Sequence, residues 1–454
     1  MSESNEWLSS PITLLEMVNR SKSGEMDYLL GVLQPEQYEL ATFPSDRNLV
    51  IDGSPGSGKT VIAVHRAGFL THAERDHGPR ERLLLVGPSQ RWVKHISRVS
   101  SAIAMGDVAI LSIAELEMKL AGAKTCDESS VNIDSEPWPL QSAELWSLIQ
   151  QSTRVLQVSG TFQKHGTKPR EMSKGEKRKA VFSKLKKRDS LIAHLCNDLQ
   201  VWNWLSGLPP QKESTDDPKL NSLFAAIGQS IEKDLSLRFD HLIVDEAQEI
   251  SHLQWQLLHS CLNRNGVMTI FGDMNQQFIK TGFHDWGEIF HYLELGDPVI
   301  RNNRTVFRST RQIVEFANRF ALNPVHDFKF LREGPEPTVI HCHRNAANQE
   351  VLQIAHSIVS EGTHHTCAVF SVDPVSIEDA LRSNGWIKGR NEAEWNRDEL
   401  RMSVLRTREA RGLEFDVVVA VDTNSIACEG GLGQLYTCLT RAAHCLYVIE
   451  PFSE

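Results

Sequence analysis

The 454-residue chain has no Cys-x-x-Cys pair among its eight cysteines, no apolar run approaching about 18 residues, and no internal repeat or long low-complexity tract. Scattered cysteines fit a reducing compartment and argue against a zinc site or a disulfide framework. Without a long apolar run no membrane span is expected. The first residues, Met1-Ser2-Glu3-Ser4-Asn5-Glu6, are polar and acidic, so no secretory leader is expected and the cytoplasm is the expected compartment. One cluster of metal-ligand types stands out, His341-Cys342-His343 in a strand-like run. Alternate residues of a strand share a face, so a metal site is conceivable there, with a satisfied core or edge position as the preferred reading.

What is present is ordinary globular material, 41% hydrophobic and 23% charged, in a chain long enough for two or three domains. The net charge of −10 is unevenly spread. Residues 164–188 hold eleven Lys/Arg against Glu171 and Glu176, a local charge of +9 on a body of −19. Such a tract is either a phosphate-backbone contact or a solvated lysine-rich hairpin. The overall acidity makes any nucleic-acid contact local.

Residues Gly53-Ser54-Pro55-Gly56-Ser57-Gly58-Lys59-Thr60 spell a complete phosphate-binding loop. A buried-strand pattern precedes it (Asn48 to Asp52) and a helix with one apolar face follows from Lys59, which is the context that motif requires. Glycines let successive N–H groups turn onto a polyphosphate, and the helix adds its positive end. Lys59 would reach the β- and γ-phosphates of ATP, and Thr60 would hold Mg²⁺.

Strands are expected at 47–52, Leu83–Val86, Phe239–Val244 and Val267–Phe271, with a helix from Gln90 to about Ala102. This alternation predicts an α/β fold with parallel sheets. Between 119 and 235 the pattern breaks into charged, helical, turn-rich sequence. A second series is expected from near Pro298, with strands at Thr338–His341, Thr366–Phe370, Arg401–Leu405 and Val417–Val421. Directly after the strand at 239–244 come Asp245-Glu246-Ala247-Gln248. Asp245 would orient Mg²⁺ and Glu246 would polarise the attacking water, although two acids there could instead cap a helix.

Together these motifs resemble superfamily 1 helicases of the UvrD/Rep type, especially compact HelD-like relatives, from Gln37 to about Glu450. Gln37 matches the glutamine that reads the adenine edge. Leu84-Leu85-Val86-Gly87-Pro88-Ser89 resembles the segment after the second strand. Gly272-Asp273-Met274-Asn275-Gln276 matches Gly-Asp-x-x-Gln, whose glutamine couples the γ-phosphate to the nucleic-acid groove. Phe307-Arg308-Ser309-Thr310 resembles Tyr-Arg-Ser, Gly412-Leu413-Glu414-Phe415 matches Lys-Gly-Leu-Glu-Phe with Arg411 in the lysine position, and Tyr436 to Ala442 match the final motif.

The resemblance implies two RecA-like P-loop NTPase domains, the first interrupted by a helical, charged insertion. The implied division is a lead-in at 1–34, a first domain at 35–118 and 236–294, the insertion at 119–235, and a second domain at 295–454. It implies Arg308 and Arg441 as arginine fingers, Phe307 as a ring for the adenine, and Gly412 and Glu414 near the nucleotide, with Glu414 by the ribose. Taken singly, Arg308 could instead be a surface helix-start residue, Phe307 core and Gln37 helix surface, with the nucleotide roles as the preferred readings. The implied activity is ATP-driven movement on DNA, single-stranded or partly duplex, in the 3′-to-5′ sense. Departures from the pattern are Val61 in place of an adenine-stacking arginine, and no Thr-Phe-Thr-Asn aromatic for stacking on a strand. About 100 residues separate Arg308 from Gly412, too few for the large helical subdomain of UvrD-type enzymes. Translocation or remodelling is therefore expected rather than processive unwinding. An ATP-gated module acting on a protein partner such as RNA polymerase, or a motor subunit of a nuclease-linked defence system, is the alternative.

Overall fold

The computed structural model describes residues 33–71, 82–102, 108–121, 218–231, 235–277, 283–389, 393–410 and 413–452, with short pieces at 146–147, 149–150, 161–162, 170–171, 177 and 180–181. The lead-in at 1–32 and most of the basic tract lie outside the described residues. In chain order the strands are β1 (Leu49–Gly53), β2 (Leu83–Gly87), β3 (Val108–Ser112), a hairpin of β4 (Thr161–Phe162) and β5 (Arg170–Glu171), β6 (Phe239–Val244), β7 (Leu262–Gly272) and β8 (Val299–Asn303). There follow β9 (Thr305–Val306), β10 (Lys329–Phe330), β11 (Thr338–His343), β12 (Thr366–Phe370), β13 (Ile387–Lys388), β14 (Glu394–Arg397), β15 (Leu400–Leu405), β16 (Phe415–Val421) and β17 (Ala442–Phe452).

Six strands make a first sheet in the order β3-β2-β6-β7-β1-β8, every pairing parallel. Continuous apolar runs such as Leu83-Leu84-Leu85-Val86 suit strands buried on both faces. Alternate residues feed opposite cores: Leu49, Ile51, Leu83 and Leu85 meet the helices Lys59–Thr71 and Gln90–Ala102, while Val50, Leu84 and Val86 meet the helices Ile113–Leu120, Pro218–Ile231 and His252–Ser260. The helix Pro218–Ile231, from the expected insertion, is thus part of the first core, through Leu223, Ala226 and Ile227.

A second sheet has the order β11-β17-β16-β12-β15-β14-β13, parallel except for the antiparallel run β13-β14-β15. Helices Ala347–Glu361 and Pro374–Ser383 cover one face, and Arg311–Asn318 and Thr423–Leu439 the other. The protein is therefore α/β, with two RecA-like parallel sheets faced by helices. One expectation needs correcting: the second series does not start near Pro298. Residues 299–303 form β8, which pairs with β1 along its length and completes the first sheet. Among the described residues no helix is long and apolar enough to cross a membrane.

The sheets meet with opposite ends. The first presents the C-terminal ends of β1, β2, β6 and β7, where α/β sheets bind ligands. The second presents the N-terminal ends of β16 and β17, immediately preceded by Glu414 and Arg441.

Candidate nucleotide-binding site

Gly53 ends β1, and the chain turns through Ser54 to Gly58 into the helix Lys59–Thr71. Gly56 and Gly58 take φ of 71° and 81°, a left-handed conformation that costs other residues about 1–2 kcal/mol. The turn is braced from three sides. Ser57 N–H donates to Ser54 O at 3.2 Å, Ser54 N–H to Asn303 O at 3.3 Å, and Asn303 Nδ2 to Ser57 O at 2.9 Å. Pro55 is buried. Gln37, only 6% exposed and so no helix-surface residue, donates from Nε2 to Ser57 O at 3.3 Å and accepts from Gln34 N–H at 3.2 Å. Lys59 is buried, its Nζ donating to Gly53 O at 2.7 Å and Ser54 O at 3.3 Å.

Asp245 and Glu246 stand just beyond β6. Asp245 Oδ2 accepts from Thr60 Oγ1 at 2.6 Å and Trp92 Nε1 at 3.1 Å, and Oδ1 accepts from Glu246 N–H at 3.0 Å. Burial first, then the neighbouring Glu246 charge, push the Asp245 carboxyl above its ordinary range. Glu246 has φ 53° and ψ 42°, a left-handed conformation rare outside glycine, at a site where such strain often accompanies function. Glu246 stands at the N-cap of the 3-10 turn Ala247–Glu249 but makes no side-chain cap bond, and Ser251 caps the helix His252–Ser260.

A chain of hydrogen bonds then crosses the seam. Gln248 Nε2 donates to Glu246 Oε2 at 2.7 Å, and Gln248 Oε1 accepts from Asp273 N–H at 3.1 Å. Gln276 Nε2 donates to Asp273 Oδ2 at 2.9 Å, and Gln276 Oε1 accepts from Arg441 Nη2 of the second domain. Burial pushes Asp273 up to about 6, partly offset by Lys59. Arg441 also donates to Thr437 O at 3.2 Å and Leu413 O at 3.3 Å. Asn275 and Asn323 exchange two hydrogen bonds, at 3.0 and 2.7 Å, across the same seam.

Arg308 comes from beside the loop itself. Phe307 N–H donates to Gly56 O at 3.1 Å, and a Cβ on Gly56 would lie 3.1 Å from Arg308 Cβ. The Arg308 guanidinium pairs with Glu414, so that carboxylate is engaged with a cation instead of standing free. Phe307 is 7% exposed and thus largely buried. Burial, and after it Arg441, bring Arg308 down to about 9. Arg441 is likewise lowered, by burial. Arg411 and Gly412 lie outside the described residues.

The donor set fits a magnesium-bound polyphosphate. Lys59 and Arg441 are buried cations and Arg308, beside the loop, is a half-buried one; Arg308 Nε, Ser54 Oγ and Ser57 Oγ are buried without a hydrogen-bond partner. Phosphoryl oxygens satisfy such donors. Two adjacent acids, with Thr60 against one of them, suit a hard divalent cation with oxygen ligands. Elsewhere the metal alternative finds no support: His341 and His343 are exposed around buried Cys342 on an edge strand. Among the described residues no group of three or more His, Cys, Asp or Glu is arranged to hold a metal.

Sequence reasoning missed Trp92, Asn303 and the bridging roles of Gln248 and Asp273. The last two stand inside quoted motifs and were open to being noticed. Asn303 carries no local signal, because its role depends on β8 lying beside β1.

Residues 39–282 match the family model described as AAA domain. Among solved structures the chain is similar to the C-terminal domain of a possible DNA helicase from Lactobacillus plantarum WCFS1, at 25% identity and a TM-score of 0.27, over 32% of this chain and 88% of that one. It is also similar to the PRRSV helicase, at 12% identity and a TM-score of 0.37, over 92% of this chain and 57% of that one. No curated protein matches.

Proposed function

The chain belongs to the AAA domain family, matched over 39–282, and from that premise we propose that it is an ATP-driven nucleic-acid translocase of the UvrD/Rep type, moving 3′-to-5′ on single-stranded DNA. The observation that carries this reading is the continuous hydrogen-bonded path from Glu246 through Gln248, Asp273 and Gln276 to Arg441. A simple nucleotide-binding domain has no need of a catalytic cation delivered from a second sheet.

In the proposed cycle Lys59 and the loop N–H groups hold the β- and γ-phosphates of ATP. Thr60 and Asp245 would hold Mg²⁺, which when bound would supply positive charge against the phosphates. Glu246, oriented by Gln248, accepts the proton of the attacking water. Arg308 leaves Glu414 and, with Arg441, meets the charge on the departing phosphoryl group, an effect worth about 10³–10⁵ in rate. Phosphate release removes the anion that draws these cations together, so the domains separate. Gln37, Phe307, Gly412 and Glu414 are assigned to the adenine and ribose.

Within 311–410 the described residues are strand–helix units of the second sheet together with β10, which pairs with β9, and include no added helical subdomain. That favours translocation or remodelling over processive unwinding, and it keeps a protein partner, such as an RNA polymerase or a nuclease, as the second reading. Steady-state ATP hydrolysis, with and without single-stranded DNA, duplex DNA and RNA, tests the proposal against Lys59→Ala as blank. Strong stimulation by single-stranded DNA is expected. Hydrolysis indifferent to every nucleic acid would remove the motor reading in favour of the protein-partner one.

A further inference from the structure

Asp245 is held by three donors, and one of them belongs to none of the nucleotide motifs. Trp92 sits in the first turn of the helix Gln90–Ala102, its N–H donating to Ser89 Oγ at 3.2 Å. Its ring lies against Gly87, where a Cβ would run into the indole carbons, so the end of β2 and the ring are in direct contact. From there Nε1 reaches Asp245 Oδ2 at 3.1 Å.

We propose that Trp92 is the positioning residue for the metal-holding carboxylate, fixing Asp245 so that Mg²⁺ meets it correctly oriented; this rests on the nucleotide reading above. Thr60 Oγ1 and Trp92 Nε1 share Oδ2, and Glu246 N–H holds Oδ1. When the Thr60 oxygen turns to a cation, one donor remains on each carboxylate oxygen, and these two define the plane of the group. An indole suits this task because it only donates and cannot itself ligate the metal. Its flat ring also covers a carboxylate that is 1% exposed. Partners of metal ligands characteristically change metal affinity by about 10–100-fold when removed.

The test uses Mn²⁺ as probe. Free Mn²⁺ is followed by electron paramagnetic resonance in the presence of a non-hydrolysable ATP analogue, for wild type, Trp92→Phe and Lys59→Ala. Trp92→Phe keeps a ring on Gly87 and removes only the donor. The expected result is Mn²⁺ affinity reduced about tenfold or more in Trp92→Phe, with metal-free analogue binding unchanged. Equal Mn²⁺ affinity in Trp92→Phe and wild type overturns the proposal. Wild type holding no more Mn²⁺ than Lys59→Ala overturns the nucleotide reading instead. Should Trp92→Phe fail to bind metal-free analogue, the wild-type protein decides. Its Trp92 indole N–H resonance must move on adding Mg²⁺ with the analogue, and a resonance that stays put overturns the proposal.

Discussion

Replacing Gly433 by alanine obstructs the proposed cycle without touching a charged group. Gly433 is buried in the helix Thr423–Leu439, past the break at Gly431, and faces the backbone of the first domain. A Cβ built there overlaps the Gln277 carbonyl oxygen and lies 3.2 Å from that carbonyl carbon and 3.3 Å from Asn275 O. These are main-chain atoms and cannot swing aside. Carbon and carbonyl oxygen rest at about 3.3–3.6 Å, so Gly433→Ala drives the helix away by about 1 Å. The same helix leads to Arg441, whose bond to Gln276 crosses the seam. A misplacement of that size costs about 10²-fold in rate, or about 2.7 kcal/mol of barrier. Helix propensity runs the other way, since alanine improves on glycine by about 1 kcal/mol in a helix interior. Loss of turnover would therefore not come from an unstable helix. In steady-state ATPase assays kcat is expected to fall about 10²-fold, while a fluorescent ATP analogue still binds, because the phosphate loop sits wholly on the first domain. A variant that turns over within about threefold of wild type would refute the idea that the second domain works in contact with Gln277.

Other perturbations probe separate parts. Glu246→Gln should abolish turnover and retain ATP binding, because it removes the proton acceptor and leaves the cradle; normal hydrolysis would mean that Glu246 is not that acceptor. Glu117, hydrogen-bonded by Ser222 and Gln254, has its carboxyl pushed up from the ordinary 4.5 to about 7 by burial. The fold thus prefers the protonated acid: this stability is complete below about 4.5 and lost as pH rises through 7, a loss on the order of 3 kcal/mol. Glu117→Gln should accordingly raise the melting temperature relative to wild type at pH 8 but not at pH 5, and a pH-independent difference would contradict the assignment. Charge reversal at Lys177, Arg178 and Lys179 should weaken DNA binding and flatten its salt dependence while basal ATPase survives. Unchanged binding would leave that tract a solvated surface segment.

Elements whose signal is local were legible. The phosphate loop is eight consecutive residues between an apolar strand and an amphipathic helix, and β12 falls at the expected residues, Thr366–Phe370. The acids after β6 were equally plain, because both depend on a strand ending where its buried run ends. Strands without a hydrophobic pattern were not. β8 carries Arg301, Asn302 and Asn303 on an edge, with only Asn303 fully buried, and nothing in that composition marks it as a partner of β1. β3 is half-buried over Val108–Leu111, with only Ser112 fully buried, and is for the same reason weak in pattern.

By itself, then, the sequence determined which groups are on offer: a glycine-rich loop between a strand and a helix, an acid pair after a strand, two α/β sheets and a set of arginines, all written in contiguous residues whose backbone conformation they dictate. Only the tertiary structure decided which of these meet. Asp245 and Trp92 are 153 residues apart, and Gln276 and Arg441 are 165. No local preference brings such pairs together. The two sheets do so by apposing the C-terminal strand ends of one to the N-terminal ends of the other, which carries Arg308 and Arg441 to the loop and pairs one of them with Glu414.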